Sequence, residues 1–200
     1  MNGPLLAGVA RKAGGALMVD DAHGIGVLGQ GGRGVLELQG LGQDDVPVLM
    51  GTLGKAIGVF GAFVAGPSVL IDYLIQKART YIYTTAMPPA VAEAACVSLD
   101  LVKEEGWRRS HLMGLVSRFR SGADHLGLAL GESGSPIQPI MVGDSATALK
   151  AQAFLADKGF LLVAIRPPTV PQGSARLRCT LTAAHTEEHV DRLLEALALC

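Results

Sequence analysis

The sequence predicts an α/β fold, with a partial, parallel-rich sheet in its first part and a small α+β domain in its second part. Three short apolar runs with strand character carry this prediction, because helical patterns and glycine-rich turns separate them. These runs lie at residues 16–19, 46–50 and 61–65. The two domains are predicted to comprise residues 1–92 and 93–200, since the composition becomes more charged in the second part.

The overall composition favours a globular chain with a core and argues against a nucleic-acid-binding or membrane protein. Hydrophobic residues make up 49% of the 200 residues and charged residues 18%, which is enough apolar material for a core. A net charge of -1 and an aromatic content of 4% argue against a nucleic-acid surface. No apolar run reaches membrane-spanning length. Three scattered cysteines, Cys96, Cys179 and Cys200, indicate a reducing, cytoplasmic setting and no metal site.

The beginning of the chain predicts a helix that leads directly into the first strand. Leu5 and Val9 share a helical face, and Gly14 ends the pattern shortly before the apolar run at 16–19. A parallel sheet needs several strands, and few precede this one. We therefore expect the chain to lack an N-terminal part of its first domain. The first residues carry no basic region of a signal peptide.

Residues 24–29 match the G-x-G-x-x-G pattern of dinucleotide-binding proteins, but the neighbouring residues argue against such a site. The third glycine should open a helix that holds the pyrophosphate. The glycine-rich residues 30–34 are a poor helix start. Asp20 and Asp21 at the preceding strand end would also repel phosphate. The segment is therefore predicted to be an extended glycine-rich loop.

Asp20, His23 and Lys55 each follow a strand-like run or lie just beyond one. In an open α/β sheet the ligand lies at the carboxyl ends of the strands, so these side chains can face one ligand. A lysine at a buried strand end is costly unless it is paired, or consumed as an imine. The combination suits pyridoxal phosphate (PLP), with Thr52 at the phosphate. Taken singly, Lys55 could be solvated in a turn, Asp20 could cap a loop and His23 could be a turn histidine.

The second part of the chain shows strand and helix signals typical of a small α+β domain. Residues 137–142 and 161–165 read as strands. Residues 176–182 alternate, with the arginines on one face and apolar residues on the other. Thr186 is placed to cap a final helix. In the first part, residues 81–85 are predicted to be extended.

Three motifs closely resemble the α-oxoamine synthases: DDAHGIG at 20–26, GTLGK at 51–55 and YTTAMPP at 83–89. These PLP enzymes have the fold-type I, aminotransferase class I/II fold and join an amino acid to an acyl thioester with loss of carbon dioxide. Two later segments, IRPPTVP at 165–171 and ARLR at 175–178, are similar to one branch. That branch is an acyltransferase that condenses L-alanine with a pimeloyl thioester to give 8-amino-7-oxononanoate in biotin synthesis.

The resemblance implies a role in cofactor binding for four residues of the first part. Lys55 matches the lysine that forms the Schiff base, and Asp20 matches the partner of the pyridinium nitrogen. His23 matches the histidine at the cofactor. Thr52 matches the threonine that contacts the phosphate.

The resemblance also implies contacts with substrate and with a second subunit. Thr169 matches a substrate-contacting threonine, and Arg178 matches the arginine that holds the amino acid's carboxylate, for which a bidentate cation is needed. Thr84 and Thr85 match residues near the phosphate of the neighbouring subunit, which implies a homodimer with a shared active site. Ala86 replaces a hydroxyl residue often found there. Coenzyme A and acyl carrier protein both remain open as the thioester carrier.

Two alternatives to the alanine-using enzyme remain at this point. The first is a related glycine-using α-oxoamine synthase of the 2-amino-3-ketobutyrate ligase type. The second is an inactive fragment or interaction module of the same fold, because the family protein is roughly twice as long as this chain.

Overall fold

The computed structural model describes residues 2–200 and divides into two compact units. The first unit ends at Gly106, and the second comprises Trp107–Cys200. The domain boundary predicted after residue 92 falls inside the helix over Pro89–Glu104. The compact units therefore divide later in the chain than the predicted domains, and the domain assignment itself stays a prediction.

Over residues 2–106, the part of the first unit that the structure describes, five helices combine with three strands. In order they are α1 (Gly3–Lys12), β1 (Met18–Asp20), α2 (Val35–Gln39), β2 (Val48–Thr52), β3 (Ala62–Ala65), α3 (Ser68–Lys77), α4 (Arg79–Ile82) and α5 (Pro89–Glu104). The predicted initial helix is confirmed as α1. It begins where the Asn2 side chain accepts a hydrogen bond from the Leu5 N–H at 3.1 Å, and it ends with two basic residues, which suit the negative end of the helix dipole.

The sheet of the first unit has the strand order β1-β2-β3. β1 runs parallel to β2, with Met18 opposite Val48 and Asp20 opposite Met50, whereas β3 is antiparallel to β2. The α/β class is confirmed, and the sheet is mixed, because one of its two strand pairs is parallel. The parallel pair is decisive for the site, since it brings the carboxyl ends of β1 and β2 to one edge of the sheet.

The glycine-rich segment that follows β1 is a loop of successive turns, as predicted. It is closed by hydrogen bonds from the Gly26 N–H to the Gly32 carbonyl at 2.8 Å and from the Gly34 N–H to the Leu28 carbonyl at 2.9 Å. Gly26 and Gly29 have φ values of 80° and 82°, which favour glycine. The next helix, α2, begins only at Val35. The third glycine of the G-x-G-x-x-G match therefore does not open a helix.

The prediction of an extended segment at residues 81–85 is wrong at its start, because the short helix α4 occupies Arg79–Ile82. The carbonyl of Ala78 accepts hydrogen bonds from the N–H groups of Tyr81 and Ile82, both at 2.9 Å. The aromatic and β-branched residues of this segment favour a strand. A nearby carbonyl acceptor that closes a helical turn overrides that preference.

The second unit forms a three-stranded antiparallel sheet with helices. Its elements are α6 (Gly106–His125, which starts at the last residue of the first unit), β4 (Ile137–Gly143), α7 (Ser145–Asp157), β5 (Val163–Ile165), β6 (Ala175–Thr180) and α8 (Glu187–Leu197). The sheet has the order β4-β6-β5. In β6 the buried residues Leu177 and Cys179 alternate with the half-buried Arg176 and Arg178, which confirms the predicted alternation. Burial raises the pKa of the Cys179 thiol to about 12, so this cysteine is a neutral core residue.

The large buried side chains belong to the second unit. Among residues 2–200, the largest side chains with full burial are Phe119, Leu115, Leu155, Leu177, Gln138 and Val190. The first unit buries mainly small residues and leaves large apolar ones exposed, including Phe60 at 74% and Val69 at 75%. The second unit therefore has the better developed core. No helix in the described part of the chain is long and apolar enough to cross a membrane.

A buried polar network organises the loop before β4. Gln138 is fully buried, and its amide nitrogen donates to the carbonyls of Ser135 at 2.6 Å and Ser133 at 3.2 Å. Its Oε1 accepts a hydrogen bond from Arg120 at 2.7 Å. Every polar atom of the buried amide group is thus paired, which removes the cost of burying it.

The turn before α8 is stabilised by two histidines that act as hydrogen-bond acceptors. The predicted cap is confirmed: the Thr186 hydroxyl accepts from the His189 N–H at 3.3 Å, and His189 Nδ1 accepts from the Thr186 N–H at 3.1 Å. Four residues earlier in the chain, His185 Nδ1 accepts in the same way from the Thr182 N–H at 3.1 Å. Both acceptor nitrogens have to be unprotonated for these hydrogen bonds to exist.

We expect the second unit to lose stability as the pH falls below the ordinary pKa of histidine. Burial, and to a smaller extent the neighbouring His189, lowers the pKa of His185 from its ordinary value of 6.5. The unfolded chain therefore takes up this proton first, so the stabilisation is complete above pH 6.5 and is lost as the pH falls through the folded pKa. Urea unfolding at several pH values measures the effect. His185→Gln should flatten the pH dependence of the free energy of unfolding. His125→Gln, at an exposed position, should leave this dependence unchanged. A slope in His185→Gln equal to that of the wild type would contradict the prediction.

Candidate active site

The carboxyl ends of β1 and β2 form the edge of the sheet at which the predicted cofactor residues lie. Asp20 is the last residue of β1, and Thr52 is the last residue of β2. The Asp21 N–H donates to the Met50 carbonyl at 2.8 Å and extends the parallel pairing one residue beyond β1. The loops that carry His23 and Lys55 therefore leave the sheet side by side.

Lys55 and His23 are in direct contact across these two loops. Lys55 Nζ lies 2.9 Å from His23 Nε2, although 32 residues separate them in the chain. The two nitrogens are within hydrogen-bond distance, and the histidine tautomer determines which of them donates. The side chains of both residues are exposed in this structure. The fold thus brings a primary amine and an imidazole together at the edge of the sheet where β1 and β2 end.

The loop that carries Lys55 is held by hydrogen bonds to Thr52 and Gly61. The Thr52 hydroxyl donates to the Gly61 carbonyl at 3.1 Å and accepts from the Gly54 N–H at 3.1 Å. The Leu53 N–H also donates to the Gly61 carbonyl, at 2.9 Å. Thr52 thus closes the lysine loop from within, a role that the sequence did not reveal.

Asp20 presents a carboxylate at the same edge of the sheet. Its side chain is exposed, and one oxygen accepts a hydrogen bond from the Ala22 N–H at 3.0 Å. This bond orients the carboxylate without burying it. An exposed, oriented carboxylate is able to pair with a cationic ring nitrogen.

Asp21 lies at the same edge, and no motif in the sequence predicts a specific role for it. It is only 5% exposed, and its Oδ2 accepts from the Val35 N–H, the first residue of α2, at 2.7 Å. Burial raises the pKa of Asp21, while the N–H groups of Val35 and Gly24 act in the opposite direction. The sequence feature that could have indicated this contact is Gly34, which lies directly before α2. A glycine supplies no side-chain cap, so a carboxylate from elsewhere in the chain can cap the helix.

Thr84 and Thr85, predicted to lie near a neighbouring subunit's phosphate, are exposed and follow α4. The Thr84 hydroxyl donates to the Thr80 carbonyl of the preceding turn. The structure therefore places both residues on the surface of the first unit, and their role stays a prediction.

The two predicted substrate residues belong to the second unit. Arg178 is half-buried on the central strand β6, between Pro139 and Val163 of its neighbouring strands and on the face opposite the core. Thr169 is exposed, and its N–H donates to the Arg166 carbonyl at 3.1 Å, in a turn that contains the cis peptide bond Pro167–Pro168. Both positions stay predictions.

The comparisons with known proteins agree with the motifs. The sequence profile of the family described as aminotransferase class I and II matches residues 5–197. The 8-amino-7-oxononanoate synthase of Marinobacter nauticus is 63% identical over 193 residues, covering 96% of this chain and 49% of the relative. That of Methylococcus capsulatus is 64% identical over 195 residues, covering 98% of this chain and 50% of the relative. The chain thus spans about half the length of the curated relatives that it matches.

The similarity extends to the fold and confirms the resemblance to the α-oxoamine synthases. The structure of a serine palmitoyltransferase variant from S. paucimobilis with a bound PLP–myriocin aldimine superposes with a TM-score of 0.90 at 30% sequence identity. The superposition covers 97% of this chain and 49% of the other. Because the family profile and the fold both match over nearly the whole chain, this protein belongs to the aminotransferase class I and II family.

Proposed function

We propose that this chain acts as a PLP-dependent acyltransferase and takes part in the reaction for which its curated relatives are named. In this reaction L-alanine condenses with a pimeloyl thioester, loses carbon dioxide and gives 8-amino-7-oxononanoate for biotin synthesis. The observation that carries the proposal is the 2.9 Å contact between Lys55 Nζ and His23 Nε2 at the edge where the parallel strands β1 and β2 end.

The side chains at this edge fit the chemical groups of PLP. An exposed amine is needed for the aldehyde carbon, and Lys55 supplies it. A carboxylate is needed for the pyridine nitrogen, and Asp20 presents one that is oriented by the Ala22 N–H. An imidazole suits the phenolic oxygen, and His23 lies next to the amine. PLP, when bound, supplies an electron sink for negative charge at the α-carbon of an amino acid.

Lys55 would carry the proton chemistry, and His23 would hold its amine in position. Lys55 Nζ would hold the aldehyde carbon of the cofactor and would later remove the proton from the α-carbon of alanine. His23 Nε2, 2.9 Å away, would orient this amine through a hydrogen bond. Asp20 keeps the pyridine nitrogen protonated by its negative charge.

Thr52 and Arg178 would bind the anionic groups of cofactor and substrate. The Thr52 hydroxyl already donates to the Gly61 carbonyl, so it would bind a phosphate only by exchanging that partner. The guanidinium of Arg178 would hold the alanine carboxylate, supported by its place opposite the core face of β6. Thr169 would contact substrate, which is supported by its exposure.

The proposal includes a homodimer with a shared active site in the cytoplasm. Thr84 and Thr85 support the dimer, because they are exposed on the first unit and are accessible to a second subunit. The wide spacing of the cysteines supports the reducing compartment.

Product analysis tests the proposal and separates it from both alternatives. The chain is incubated with PLP, a pimeloyl thioester and either L-alanine or glycine, and products are identified by mass spectrometry. We expect 8-amino-7-oxononanoate with alanine and no condensation product with glycine. A product with glycine instead would identify a sister synthase. Absence of any product would favour a non-catalytic module and would overturn the proposal. Pimeloyl-coenzyme A and pimeloyl-acyl carrier protein are compared as donors in parallel.

A further inference from the structure

Asp21 lies between two proposed cofactor residues in the sequence, yet the proposed chemistry does not use it. Its side chain is 5% exposed, whereas the neighbouring Asp20 is exposed. Its N–H donates to the Met50 carbonyl at 2.8 Å, so its backbone is tied to β2. A buried carboxylate at a ligand-facing strand end needs a physical reason, because burial of a charge is costly.

The carboxylate of Asp21 connects both ends of the glycine-rich loop. Oδ2 accepts from the Val35 N–H at 2.7 Å, across 14 residues of chain. The N-cap of α2, Gly34, makes no side-chain cap of its own, so Asp21 performs this function from its position directly after β1. The charge-assisted hydrogen bond closes the loop over residues 21–35.

Two glycines make room for this carboxylate. A Cβ atom at Gly24 would overlap Asp21 Oδ1, and a Cβ atom at Gly34 would overlap Oδ2. Gly34 also has a φ of 86°, which favours glycine, whereas Gly24 has no such requirement. The glycine at position 24 is therefore explained by the space that Asp21 occupies.

The same residue defines the turn that carries His23. The Asp21 carbonyl accepts from the Gly24 N–H at 3.0 Å and from the Ile25 N–H at 3.1 Å. His23 lies within this turn, and its Nε2 is 2.9 Å from Lys55 Nζ. The direction of the imidazole therefore depends on a turn whose first residue is held from both its backbone and its side chain.

We propose that Asp21 is a positioning residue, whose buried carboxylate fixes the turn over residues 21–25 and so keeps His23 within hydrogen-bond distance of Lys55. Its meaning for catalysis rests on the proposed function, but the geometry exists without cofactor. Asparagine keeps an acceptor for the Val35 N–H and removes the buried charge, so Asp21→Asn should preserve the turn. Asp21→Ala removes this acceptor and should therefore release the turn over residues 21–25.

Imidazole nitrogen NMR of the cofactor-free chain tests this role directly. The chain contains five histidines, and the His23 signal is assigned by its loss in His23→Gln. In the wild type and in Asp21→Asn, adding Lys55→Met should shift the His23 signal, because the neighbouring amine is removed. In Asp21→Ala, adding Lys55→Met should leave the His23 signal at its position, because the two side chains are no longer in contact. PLP capture at Lys55 should weaken about tenfold in Asp21→Ala and less than about threefold in Asp21→Asn.

Val46→Ala and Gly24→Ala make the test specific. Val46 is 2% exposed in the first unit and lies outside the turn, so Val46→Ala should lower stability and keep the coupling between His23 and Lys55. Gly24→Ala keeps Asp21 in the chain but should displace its carboxylate, so the coupling between His23 and Lys55 should be lost. This variant provides a second measurement if Asp21→Ala unfolds. The proposal is overturned if Asp21→Ala or Gly24→Ala retains the coupling, or if Val46→Ala loses it equally. If the wild type captures no PLP, the proposed function fails, and the imidazole signals alone still decide the role of Asp21.

Discussion

Replacing Lys55 by alanine is expected to abolish covalent capture of PLP by the 200-residue chain. Alanine offers no nitrogen for a bond to the aldehyde carbon, and the substitution removes the amine that lies 2.9 Å from His23 Nε2. The visible absorbance of the lysine-bound cofactor should disappear completely. Borohydride reduction followed by peptide mass spectrometry locates the modified residue.

Lys77→Ala is the matched control for this experiment. Lys77 is an exposed lysine in the last turn of α3, in the same unit as Lys55. This variant should capture PLP like the wild type, with the label on Lys55. Equal labelling of the Lys55→Ala chain at another lysine would show that the amine beside His23 is not the anchor.

Phe119→Ala is expected to cause the largest loss of stability of the single core substitutions. Phe119 has an exposure of 0%, in the middle of α6. Truncation of a fully buried phenylalanine removes its apolar contacts and leaves a cavity, which costs about 3–5 kcal/mol in the free energy of unfolding. Urea unfolding followed by the fluorescence of Trp107, the only tryptophan of the chain, measures this loss in the second unit.

Phe60→Ala provides the same chemical change at an exposed position. Phe60 is 74% exposed in the first unit, so its truncation leaves no cavity and should change the free energy of unfolding by less than about 0.5 kcal/mol. Far-UV circular dichroism follows both units in the same titration. A loss in Phe119→Ala as small as that in Phe60→Ala would contradict the burial of Phe119.

The motif residues near β1 and β2 could be predicted because their relation depends on local patterns. Short apolar runs ending in polar residues identify strand ends, and parallel pairing places neighbouring ends together. Lys55 and His23 meet in this way despite their separation of 32 residues. The loop character of the G-x-G-x-x-G match was equally predictable, since the residues after it are poor helix formers.

The different surroundings of Asp20 and Asp21 could not be predicted from their sequence. Successive side chains point in different directions at a strand end, but which of them is buried depends on α2, which begins at Val35. The role of the Thr52 hydroxyl likewise depends on Gly61, on the far side of the lysine loop. The helical turn at the predicted extended segment depends on the Ala78 carbonyl.

The sequence by itself determined the α/β class, the alternation in β6 and the group of Lys55, His23 and Asp20, because periodicity, strand ends and motif spacing are properties of the chain. The tertiary structure alone decided that Asp21 is buried, that Thr52 closes a loop and that Lys55 is exposed. These properties depend on which distant backbone groups come within hydrogen-bond distance and on which side chains are covered. Local sequence does not contain that information, since it arises only when segments such as β1 and α2 pack together.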